Sequence, residues 1–104
     1  MKRIAYTMKV HPEHMDEYRR RHEQVWPELL SELKRAGVSD YSIFLDESTG
    51  TLFAVQKRTD DNTVAALPDH PAVRKWWEFM ADIMETNPDN SPVERYMTEV
   101  FHLE

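Results

Sequence analysis

The chain has no cysteine, which excludes thiolate metal sites, iron–sulfur clusters, disulfide scaffolds and thiol nucleophiles. It has only two glycines, Gly37 and Gly50. A dinucleotide fingerprint or a phosphate loop needs several, so that backbone can close on phosphate, and neither can be written here. No stretch approaches the ~20 consecutive apolar residues of a membrane span. The opening Met1-Lys2-Arg3-Ile4-Ala5-Tyr6 also lacks the unbroken apolar run of a secretory signal. The chain is therefore expected in the cytoplasm, with no membrane partner. Positive charge is in deficit, thirteen Lys and Arg against nineteen Asp and Glu for a formal charge of −6. That is the wrong sign for a phosphate backbone, and no nucleic acid is expected as a partner.

What the 104 residues do contain, 40% apolar and 11% aromatic, is enough for one domain over residues 1–104 with a core held by packing. Residues 3–10 alternate in the period of a strand, with Ile4, Tyr6, Met8 and Val10 on one side. After Pro12 the spacing changes to that of a helix, through Met15, Tyr18, His22, Val25, Trp26, Leu29 and Leu33 to a stop at Gly37. Pro27 falls inside that pattern and predicts a kink or a break. Residues 40–46 and 51–57 read as two strands joined by Glu47-Ser48-Thr49-Gly50, a connection of hairpin length. Asp60 to Met84 is helical in pattern, interrupted at Leu67-Pro68-Asp69-His70-Pro71. Thr86 to Pro92 is a loop, and residues 94–103 form a closing strand.

The order strand, helix, strand, strand, helix, strand is the split βαβ arrangement of an α+β fold, with both helices on one face of an antiparallel sheet. Yet the strands carry apolar groups on both faces: Tyr41, Ile43 and Leu45 oppose Phe44, and Tyr96 opposes Met97. A homodimer packed sheet to sheet covers the second face most simply.

His22 stands on the apolar helical face among Tyr18, Val25, Trp26 and Leu29. The ordinary reading of such a residue is a hydrogen-bonded core histidine. Tyr18, one turn earlier, allows a second: phenol and imidazole pointing into one pocket, where histidine titrates near neutrality. Trp76 and Trp77 diverge by about 100° on a helix, so one suits core and the other a pocket wall. With Trp26, Tyr18 and Tyr41 they make an aromatic layer with polar tips, suited to the C–H faces and hydroxyls of a sugar. Asp89 and Glu99 are carboxylates that could pair with His22. The loop Asn87-Pro88-Asp89-Asn90-Ser91-Pro92 is either a self-capped turn or a lip that binds hydroxyls. Arg19, Arg20 and Arg21 read as a solvated face. His22-Glu23-Gln24-Val25-Trp26 begins like a zinc-protease helix but has Trp26 where the second histidine is needed. His11 and His14 flank a helix start, and no metal site is assigned to them.

Taken together, Glu17-Tyr18-Arg19-Arg20-Arg21-His22, Val25-Trp26-Pro27-Glu28, Tyr41-Ser42-Ile43, Trp76-Trp77, Asn87 to Pro92 and Glu99-Val100-Phe101 make the whole chain resemble the L-rhamnose mutarotase family. The resemblance implies a dimeric ferredoxin-like α+β barrel, an isomerase that interconverts α- and β-L-rhamnose without a cofactor, and a cytoplasmic place in rhamnose metabolism. Carried over by position, it implies His22 as the proton donor and Tyr18, Tyr41, Trp76 and Trp77 as sugar contacts. The group that takes the hydroxyl proton stays open between Tyr18 and a water. The alternative on the same fold is a small-ligand-binding protein or a cofactor-independent oxygenase.

Overall fold

A computed structural model of the chain describes residues 1–104. Strand β1 (Lys2–Lys9) follows the alternation read from sequence, burying Tyr6 and Met8 on one face and continuing to fully buried Val10. Helix α1 (Met15–His22) and helix α2 (Pro27–Arg35) are separate elements. The missing N–H of Pro27 is harmless in the first turn, so the proline begins a helix rather than kinking one. At the end of α2, Gly37 adopts φ 98°, a region open to glycine and strained for other residues.

Strands β2 (Val38–Asp46) and β3 (Thr51–Arg58) pair antiparallel across the Glu47–Gly50 connection. Gly50, at φ 76°, presses its α-carbon against β1's continuation, and an added Cβ would lie 2.6 Å from the Val10 carbonyl oxygen. The helix expected from Asp60 does not begin there. Asn62 bonds locally to the Thr59 carbonyl and the Val64 amide, competing with helical bonding, and Val64–Asp69 is a 3-10 helix. Helix α3 (Pro71–Met80) is capped by His70, whose Nδ1 accepts from the Ala72 amide at 3.1 Å. It stops four residues before Met84, because the chain turns to bridge back to Val10.

The last strand, β4, is Arg95–Met97 alone, not 94–103. Its three residues pair with Thr7, Tyr6 and Ala5 of β1. Beyond them Val100, Phe101 and Leu103 are 93%, 78% and 80% exposed. Their apolar side chains have no layer to pack against within one chain, and a strand without a buried face has little to fix it.

The sheet order β2-β3-β1-β4, antiparallel throughout, is the ferredoxin-like topology that the element order implied. The helices lie on one face, over Leu52, Ala54, Tyr6 and Met8. On the other face Phe44 and Phe53 are cross-strand neighbours and both are exposed, as is Met97. No helix is long and apolar enough to cross a membrane.

Candidate active site

Between the helices and the inner face of the sheet lies an open cavity of about 1400 Å³, and Tyr18, His22, Tyr41, Trp76 and Trp77 all line it. Five residues from three separate stretches of sequence thus converge as expected. The volume exceeds the roughly 300–1,000 Å³ of small-molecule sites, leaving room for a single sugar ring and water.

His22 is the last residue of α1. Its Nδ1 lies 3.0 Å from the Tyr18 carbonyl oxygen. A carbonyl can only accept, so Nδ1 carries the proton and Nε2 of the neutral ring keeps its lone pair. Nε2 bonds to no protein group and is not sealed from solvent, and the residue lines the cavity. The ring stacks on Tyr18, with centroids 4.2 Å apart and planes inclined by 22°. It meets the Trp76 indole edge-on at 5.5 Å. Burial among these rings pushes its pKa below the ordinary 6.5, against a smaller opposing effect of the bond to Tyr18. Neutral imidazole is therefore the resting form at pH 7.

The tyrosines are shifted the other way. Burial holds the Tyr18 phenol well above its ordinary range, with the nearby Tyr41 adding to the effect. Tyr41 is raised by burial too, and its hydroxyl shares a hydrogen bond with that of Tyr6 at 2.9 Å. Both stay protonated at any physiological pH and can present O–H groups. Both tryptophans line the cavity, with different burial. Trp76 is 8% exposed, packed against Trp26 and Phe79. Trp77 is half-buried at the cavity wall.

Two expectations need correction. Arg21 does not belong to a solvated face: its side chain is 10% exposed. It donates to Glu17, to Asp82 and to the Phe79 carbonyl, with its guanidinium 4.4 Å above the Phe79 ring. It thereby ties the turn of α1 that carries His22 to the end of α3, and its neighbours in sequence hid that role among three identical residues. Asp89 and Glu99 do not pair with His22. Asp89 accepts from the Ser91 amide and hydroxyl inside its own loop, and Glu99 faces Arg3 at 3.9 Å. The loop from Asn87 to Pro92 lines the cavity but is internally capped, with Asn87 also bonded to Ser91.

The sequence reading missed a polar line along the cavity floor. Gln56, the only buried polar residue, donates to the Tyr6 hydroxyl at 3.4 Å and accepts from Arg58 Nε at 2.7 Å. Arg58 donates to the Tyr96 hydroxyl at 3.2 Å, and Tyr96 donates to Glu94 at 3.2 Å. The signal was present: Gln56 has the same strand parity as Leu52 and Ala54, and a polar residue on a core-facing parity has to find partners.

Comparison with known proteins gives the family and the fold. The family described as L-rhamnose mutarotase matches residues 3–103. The L-rhamnose mutarotase of Rhizobium johnstonii is 53% identical over 103 residues, covering 99% of this chain and 97% of its own. That of Brucella anthropi is 55% identical over 101 residues, covering 97% and 95%. The crystal structure of an L-rhamnose mutarotase from Formosa agariphila superimposes with a TM-score of 0.92 at 51% identity, over the full length of both chains.

Proposed function

The chain belongs to the L-rhamnose mutarotase family, and on that premise we propose that it interconverts the α and β anomers of L-rhamnose, with His22 moving the proton. The observation that carries this reading is His22, its Nε2 unpartnered, in the lining of an aromatic cavity with room for one pyranose. Anomer exchange breaks the bond between C1 and the ring oxygen, moves the proton of the anomeric hydroxyl to that oxygen, and closes the ring on the other face of the aldehyde. No electrons change hands and no group leaves, so the chemistry asks for no cofactor. One well-placed acid/base group is worth about 10²–10⁴-fold, a sufficient gain for a reaction that already proceeds in water.

The anomeric hydroxyl and the ring oxygen sit on the same carbon, so one nitrogen can serve both. Neutral His22 accepts the hydroxyl proton at Nε2 and donates it to the ring oxygen. Closure reverses the two transfers. Tyr18, which burial keeps protonated, serves as the stacking floor under the imidazole rather than as a base. Tyr41 offers its hydroxyl to the sugar, and Trp77 covers a C–H face. The methyl group of a 6-deoxy sugar gains from the aliphatic and aromatic wall, where an additional hydroxyl would lack a partner.

Because burial lowers the His22 pKa and the neutral ring is the active form, the enzymatic part of kcat/KM should be level above pH 7. It should fall as pH drops through a value below 6.5. Polarimetry of freshly dissolved α-L-rhamnose, with the spontaneous rate subtracted at each pH, measures this and tests the proposed activity at the same time. No acceleration at any pH removes the reading, and a rate that rises on acidification reverses the assigned protonation state.

The same reading makes the protein a cytoplasmic homodimer. Phe44, Phe53 and Met97 on the outer face, with Val100, Phe101 and Leu103 beyond β4, are the apolar groups a second copy would cover. Light scattering should give twice the mass of the chain, and Phe44→Glu should shift it toward one. A monomeric wild type contradicts the arrangement.

A further inference from the structure

Four carboxylates lie along the cavity: Glu23, Asp40, Asp89 and Glu94. Asp40 is paired with Lys57 at 3.0 Å, and Asp89 is held by Ser91 within its loop. Glu23 sits exposed just past α1, with no donor fixing its side chain. Glu94 differs from all three. One of its oxygens receives the Tyr96 hydroxyl, and Tyr96 is itself fixed from two sides. Its hydroxyl accepts from Arg58, whose guanidinium lies 5.7 Å from the Tyr96 ring centroid, and its ring packs on Tyr6 at 5.0 Å. Arg58 in turn is anchored by Gln56. A carboxylate lining the cavity is thus oriented through three successive hydrogen bonds while its second oxygen has no protein donor.

Its surroundings set it with the site rather than with the surface. Glu94 is exposed as a residue, yet desolvation of its carboxyl raises its pKa above the ordinary carboxylate value, against the opposing pull of Tyr96 and Arg58. Asp46, Asp82 and Asp89 are shifted down, by hydrogen bonds to Ser48, Arg21 and Ser91. The groups pushed toward their neutral forms, namely Tyr6, Tyr18, His22, Tyr41 and Glu94, all line the one cavity. Among them His22 is carried by α1, and Glu94 immediately precedes β4. His22 projects from the helical layer onto Tyr18, whereas Glu94 approaches from the β4 edge, with Tyr41, Tyr6 and Tyr96 between them.

We propose that Glu94, oriented by Tyr96 and Arg58, is a second sugar-binding subsite that accepts hydrogen bonds from ring hydroxyls on the side of the pyranose away from the anomeric carbon. This inference rests on the mutarotase reading for the identity of the sugar, but not for its geometry. A carboxylate accepts from hydroxyls through charge-assisted bonds, and the adjacent guanidinium can donate to the same hydroxyl oxygens, so the pair recognises a diol in both hydrogen-bonding senses. The role is in binding rather than in proton transfer, since C1 and the ring oxygen lie at His22.

Glu94 is exposed and outside the core cluster, so its variants should fold, which far-UV circular dichroism checks. Glu94→Ala should raise KM for L-rhamnose about tenfold or more, the loss of one hydrogen bond to a charged group, with kcat falling much less. Glu94→Gln, which keeps an oxygen acceptor at the same reach, should recover part of that affinity. L-Rhamnose analogues deoxygenated at C3 or C4 identify the contact: one of them should lose on the wild type what Glu94→Ala lost, and lose little more on the variant. An unchanged KM overturns the proposal, as does a collapse of kcat at constant KM, which would place Glu94 in proton transfer. NMR titration of L-rhamnose into wild type and Glu94→Ala reads affinity independently of turnover. If the wild type binds the sugar without accelerating exchange, the mutarotase reading fails while this comparison still decides the subsite. Equal affinities, or no binding by either protein, overturn it.

Discussion

His22→Ala should abolish the acceleration of anomer exchange, a loss of about 10²–10⁴-fold set by what one positioned acid/base group contributes. The variant should fold as the wild type does. The imidazole bonds only to the Tyr18 carbonyl of its own helix, and its removal leaves no buried donor or acceptor unpaired elsewhere. What is lost structurally is the stack on Tyr18 and the edge contact with Trp76, interactions worth on the order of 1 kcal/mol for aromatic pairs. Polarimetry reads the rate and thermal unfolding reads the fold. An active alanine variant would take His22 out of the mechanism, and an inactive one that is also unfolded would be answered by His22→Gln, which keeps a side chain of similar reach over Tyr18 without a group that titrates near neutrality.

The neighbouring tryptophans should respond in opposite ways. Trp76→Ala should destabilise the protein by about 3–5 kcal/mol, the usual cost of truncating a buried aromatic. Trp76 sits in the core cluster and touches Trp26, Phe79 and His22. Activity falls with it, because the imidazole loses a wall. Trp77 only packs against that cluster from outside and stands half-buried at the cavity. Its truncation should leave stability within about 1 kcal/mol or so of wild type, as for a side chain outside the core, and appear as a raised KM. Urea unfolding followed by far-UV circular dichroism separates the two without relying on tryptophan emission. A large stability loss at Trp77 with little at Trp76 would reverse the assignment.

These expectations draw on features of different legibility. The convergence of Tyr18, His22, Tyr41, Trp76 and Trp77 could be anticipated, because helical spacing put Tyr18 and His22 on one face and the family resemblance supplied the others. The break at Pro27 followed from its missing N–H. Where the reading went astray, the reason was tertiary. Nothing local distinguishes Arg21 from Arg19 and Arg20, and only the packing of α1 against α3 makes one of three arginines a buried tie. The closing strand was overextended because apolar Tyr96, Val100 and Phe101 do not say what covers them. The helix from Asp60 failed because Asn62 offered local bonds that apolar spacing alone did not weigh. The Gln56–Arg58–Tyr96–Glu94 line joins β3 to the edge strand. Only register, which sequence spacing does not supply, brings those residues together.

The central claim is that His22 Nε2 exchanges the anomeric proton of L-rhamnose inside this cavity. Saturation-transfer NMR tests it most directly: the H1 signal of the β anomer is saturated at equilibrium and attenuation of the α signal is followed as protein is added. Attenuation should grow with wild-type concentration and be absent with the same concentration of His22→Ala. An α signal that wild-type protein leaves as strong as in the protein-free sample, or that both proteins attenuate equally, would contradict it.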